Sequence, residues 1–125
     1  MTAAALLAAT GFTLVALFQV ALAAGAPWGR AAWGGGHSRL PARLRVASAF
    51  SALVLTIAAL IVLERARVVD AWLPAASARW ATWGVTVAMA VSAIGNLASP
   101  SRWERSLMAP VASLLAVLSL IVAVG

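Results

Sequence analysis

The chain has no cysteine, no lysine, one histidine and three acidic residues among 125. Without cysteine, disulfides, thiolate chemistry and cysteine-ligated metals are excluded. Without lysine there is no Schiff base, and hence no retinal pigment. Charged residues make up 10% of the chain, too few to cover an ordinary soluble domain of this length. The single histidine, His37, lies among glycines with no acid near it in sequence, so it reads as a solvated loop residue rather than a zinc ligand.

What is present is apolar. Hydrophobic residues make up 64% of the sequence, and the mean hydropathy is +1.01. Four charge-free stretches run through residues 3–24, 46–63, 80–98 and 107–124. A helix needs about 17–25 residues to span a bilayer. The alternation of a lipid-facing β-barrel is absent, and unbroken apolar runs satisfy their own backbone in lipid only as helices. The expected fold is therefore all-α, a four-transmembrane-helix bundle forming one transmembrane domain. The first stretch lacks the positively charged start of a signal peptide and reads as a true span.

The nine basic residues are all arginine and give a net charge of +6. Arg30, Arg39, Arg43 and Arg45 lie in the first connection, and Arg102 and Arg105 in the third. The second connection holds Arg65, Arg67 and Arg79, so the split is six to three. The positive-inside rule then places the first and third loops in the cytoplasm and both termini outside. Alanine- and arginine-rich composition without lysine is that of a GC-rich bacterial genome, so a multi-pass bacterial inner-membrane protein is expected. Trp28, Trp33, Trp72, Trp80, Trp83 and Trp103 fall at or near the span ends, as an interfacial aromatic belt does.

The connections carry turn signals. Gly34-Gly35-Gly36 ends any helix in the first loop. Pro41 stands where the second helix begins, with Ser38 as its expected cap. Ser101 and Glu104 have the spacing of a capping box at the start of helix four.

Small residues mark two helix faces. Gly84, Ala88, Ser92 and Asn96 recur every four residues, as do Ser48, Ala52 and Thr56. Such stripes let helices approach closely in lipid. They are expected to pack helix two on helix three, or to meet a neighbouring subunit in a homo-oligomer; a groove for lipid is the other reading. Gln19 is an amide in an otherwise apolar helix and needs a polar partner or a ligand.

Reactive constellations are missing. No carboxylate lies mid-span, where proton-coupled carriers place one. The chain has the length and span count of small multidrug exporters but lacks their glutamate in the first helix, which excludes that family. No catalytic triad, phosphate loop or extended basic groove for nucleic acid can be assembled, and no cofactor or metal is implied. What remains is a cluster at one end of the bundle: Arg39, Arg43 and Arg102 for an anionic headgroup, and Trp33 and Trp103 for the apolar part of a ligand, with Gln19 and Asn96 as polar contacts. The function expected is binding or transport of a lipid-like or small amphipathic, anionic ligand. The alternative is a structural subunit that packs against partner membrane proteins, with a membrane enzyme the weaker third case. Membrane lipids are the expected partners. Single cysteines at Gly35 and Ser101 are expected to label from the cytoplasmic side, and one at Ala76 from outside; the reverse pattern would invert the topology.

Overall fold

The computed structural model describes residues 1–70 and 72–125. Its long elements are α1 (Thr2–Ala23), α2 (Ala42–Arg65), α3 (Ala75–Leu97) and α4 (Ala109–Val124). A π-helical turn, Glu104–Met108, leads into α4, and two 3-10 turns, Gly29–Ala31 and Trp33–Gly35, lie in the first loop. With that π turn included, all four helices are long and apolar enough to cross a membrane. They are 22, 24, 23 and 21 residues long.

The interior is built from small side chains. Most buried apolar residues are alanines, among them Ala5 and Ala8 with no exposed surface. Leucines, valines and isoleucines such as Leu14, Leu17, Val87, Val91 and Ile94 point outward. A soluble bundle would show the opposite arrangement. In lipid no hydrophobic force draws leucine inward, and close backbone approach over small residues supplies the packing. Gly11 marks such an approach: a Cβ there would stand 2.7 Å from the Leu115 side chain, across the α1–α4 contact. Phe12, fully buried, fills the centre of the core with Leu55, Val62 and Leu115 around it.

Five threonines within the helices satisfy themselves locally. The hydroxyls of Thr10, Thr13, Thr56, Thr82 and Thr86 each donate to the carbonyl four residues earlier on their own helix. Back-bonding of this kind removes the need for a partner across the bundle. Helices two and three both start at proline. Pro41 and Pro74 occupy the N-cap positions, and neither helix has a side-chain cap. Ser38, the cap expected for α2, instead has its backbone carbonyl accepting the Gly29 N–H at 2.7 Å. Proline sets the extended-to-helical transition through its fixed φ, so no serine is needed there.

Helices α1 and α2 form one antiparallel hairpin and α3 and α4 the other. The hairpins join through α1 against α4 and α2 against α3, both contacts far smaller than those within each hairpin. At the second loop Glu64, 3% exposed, folds the link by accepting the backbone N–H groups of Trp72 and Leu73. Within α3 the packed face is Ala78, Thr82, Val85, Thr86 and Ala93. Gly84 and Ala88 lie on the outer surface, and nothing stands within 4 Å of a Cβ placed on Gly84. The α2 stripe divides as well: Ser48 and Ala52 are buried and Thr56 is exposed. Ala8→Leu should lower thermal stability in detergent by about 1–3 kcal/mol through overpacking. Ala88→Leu should leave the unfolding temperature unchanged, and equal losses in both variants would refute this placement of α3.

Candidate functional site

The glycine-rich first loop folds into a cap over one end of the bundle. Leu22, Ala32 and Leu40 are buried together and seat it on the end of α1. Trp33 has φ 52°, a left-handed conformation uncommon for a bulky residue. Its indole N–H donates to Ser48 Oγ on α2 at 2.9 Å. The next residue, Gly34, donates its backbone N–H to Glu104 Oε1 at 2.8 Å. Ser101 donates its hydroxyl to the Arg30 carbonyl. Gly35, at φ +75°, packs so tightly on Ser101 that a Cβ would fall 2.7 Å from the Ser101 Cβ. The cap is thus fastened to α2 at one point and to the start of helix four at three. Because Ser101 is buried and Gly35 lies against it, Gly36, with open space around it, is the better cysteine-labelling position.

The capping box forms only in part. Ser101 Oγ accepts the Glu104 N–H at a long 3.4 Å. The Glu104 carboxylate does not turn back to the Ser101 N–H, which goes to Ser99 Oγ at 3.0 Å. Instead Glu104 Oε1 takes the Ser99 hydroxyl at 2.7 Å together with Gly34. The carboxylate is therefore a tertiary tie rather than a local cap. The π turn beneath it has a local cause. Pro110 has no N–H and its ring crowds the carbonyl of Ser106, so the helix widens just before it. Turns of this type are frequent at functional sites.

Under the cap lies a cleft of about 390 Å³. Its floor is α1 and α4, with Val15, Gln19, Val111 and Leu115. Its walls are α2, with Phe50, Ser51 and Val54, and α3, with Met89, Ser92 and Asn96. Trp33, Ala32 and Glu104 roof it. Phe50 and Val54 are 67% and 46% exposed, so the cleft is open to the side at α2. From Met89 to Asn96 the wall runs about 10 Å at the rise of an α-helix. The deep end is apolar. The capped end carries Gln19, Ser51, Ser92, Asn96 and Glu104. Gln19 Oε1 is buried without a hydrogen-bond partner. Glu104 is 9% exposed and is the one ionisable side chain on the lining.

The expected site residues divide between cleft and surface. Gln19, Asn96 and Trp33 line the cleft, and Ser92 joins them from the small-residue stripe. Arg39, Arg43, Arg102 and Trp103 are exposed and outside it. Arg102 instead lies over the Trp103 ring at 5.3 Å from its centroid, a cation–π contact at the surface. Sequence reasoning missed Glu104 as a lining group, together with Phe50, Ser51, Val54, Met89 and Met108. The available signal was an acid placed six residues before Pro110 in a chain with only three acids. Among the described residues no His, Asp and Glu side chains gather as metal ligands.

Compared with protein-family models, curated proteins and solved structures, the chain matches none, so the site is interpreted from its own residues. Glu104→Ala would leave the Gly34 N–H and the Ser99 hydroxyl without their acceptor. It should cost about 1–3 kcal/mol of stability. Glu104→Gln keeps an oxygen at that position and should lose clearly less in the same thermal unfolding measurement. Equal losses would show that the carboxylate does not hold the cap through these bonds.

Proposed function

We propose that the protein binds a lipid-like amphipathic molecule in this cleft, with the chain entering from the side at α2 and the head group under the cap. The observation that carries this reading is the amphipathic lining behind a lateral mouth. A volume of about 390 Å³ falls within the range of roughly 300–1,000 Å³ common to small-molecule sites. An aqueous solute would meet Phe50 and Val54 at the mouth, whereas an alkyl chain already in the bilayer meets matching surface. The polar gradient then orients the ligand, since Gln19, Ser51, Ser92 and Asn96 are all at one end. In the orientation set by the arginines, that end lies in the cytoplasmic leaflet of a bacterial inner membrane. Arg39, Arg43 and Arg102, outside the cleft, meet lipid phosphates there and hold the bundle at its depth.

Binding, and any transfer built on it, needs no reactive group. The bilayer supplies the amphiphile, and the cleft supplies polar contacts that lipid tails cannot. A diazirine-bearing long-chain alcohol in nanodiscs tests this directly. Crosslinks should concentrate on peptides bearing Val54 and Met89. Ser92→Phe fills the cleft and should abolish them, while the outward Ala88→Leu on the same helix should retain them. Labelling spread evenly over the lipid-facing helices, and indifferent to Ser92→Phe, would rule the site out.

A further inference from the structure

The charge at this end of the molecule is arranged in an unexpected way. The chain carries +6 overall. Six arginines belong to the two loops that close the capped end, yet none lines the cleft. The one ionisable group inside is a carboxylate, Glu104. We propose that the polar end of the cleft recognises a protonated amine on the amphiphile, through Glu104 and the side-chain carbonyl of Asn96. The assignment rests on the amphiphile cleft proposed above and names its head group.

The lining leaves several oxygen acceptors open, beside the amide N–H groups that Gln19 and Asn96 retain. Asn96 Nδ2 donates to the Ser92 carbonyl at 2.9 Å. Only the amino end of an amide can make that bond, so the orientation is settled and Oδ1 is the end left for a ligand. Both protein donors to Glu104, Gly34 N–H and Ser99 Oγ, go to Oε1. The second oxygen, Oε2, is left for a ligand. Gln19 Oε1 is buried at the same end without a donor. Ser51 and Ser92 hydroxyls serve in either sense. An anionic head would face a carboxylate with no cation lining the cleft. An ammonium brings donors only, and its bond to a carboxylate is charge-assisted.

The net field of the protein opposes this preference, which makes the test sharp. Non-specific attraction to a chain of +6 ranks anions above cations. The probes are diazirine derivatives of dodecylamine, dodecanol and dodecyl phosphate, in phosphatidylcholine nanodiscs at neutral pH. Dodecylamine should label the cleft at about tenfold lower concentration than dodecanol, a ratio equal to ~1.4 kcal/mol. Glu104→Gln keeps an acceptor for the cap and should erase the amine advantage, read as the ratio of amine to alcohol labelling within the same variant. Asn96→Asp adds a second carboxylate without touching the cap and should raise amine labelling, which preserves the test if Glu104→Gln fails to fold.

Dodecanol labelling with no advantage for the amine would overturn the head-group assignment and leave the cleft standing. Preference for dodecyl phosphate, lost in Arg102→Ala, would replace it with the anionic reading. No cleft labelling by any probe would overturn both. An ammonium is shared by free alkylamines and by the ethanolamine head of a membrane lipid. Competition when phosphatidylethanolamine is added to the nanodiscs assigns the site to the lipid, and its absence to a free amphiphile. Either outcome supports recognition of the amine.

Discussion

A single carboxylate holds the capped end of the bundle together. Glu104 sits at the first turn of helix four, 9% exposed, and takes a backbone N–H from the first loop and a hydroxyl from the third on one oxygen. Gly34 is the point at which a loop of glycines and tryptophans stops being a free connection and becomes a roof. The Trp33 and Ser101 contacts on either side depend on that placement. Buried backbone donors must find acceptors, and a loop folded over a bundle of four apolar helices has few on offer. One charged acceptor supplying two bonds meets the need at the cost of placing a carboxylate near the apolar interior.

The packing below is the kind that suits lipid as solvent. Alanine faces alanine inside, and branched side chains face outward. This brings α1 close to α2, α3 close to α4, and the hairpins together through Gly11 beside Leu115. Helices α2 and α3 also pack on one another, without a glycine approach of that kind. The two helices are joined at the second loop, where Glu64 ties the link, and the cleft lies between them at the opposite, capped end. Two tight pairs meet more loosely along both edges, and the cleft lies at their junction, lined from all four helices.

Charge separates by location. Arg39, Arg43 and Arg102 remain at the surface, with Arg102 lying on Trp103. Inside, the polar groups present mainly oxygen. The same end of the molecule thus has a basic exterior around an interior lined largely by oxygen acceptors.

The helical class and the four apolar spans were legible in the sequence, because hydropathy and length act through each segment alone. The same holds for back-bonded threonines, which answer to a carbonyl four residues away, and for Pro41 and Pro74 at helix starts. The site was legible only in part. Gln19, Asn96 and Trp33 stood out as polar or aromatic residues in apolar surroundings, and they line the cleft. Glu104 had been read by its local spacing to Ser101, but its partners are Gly34, seventy residues earlier, and Ser99. The small stripe on α3 shows the same limit: periodicity marks a face, but nothing in a period says which neighbour it meets. Gly84 and Ala88 turned outward because the α3–α4 hairpin was satisfied by Ala78, Thr82, Val85 and Ala93. The sequence by itself determined which segments are helical and apolar, since those are properties of a segment in its solvent. The tertiary structure decided which faces touch, where the first loop folds and that a cleft remains, because those depend on distances between residues far apart in the chain.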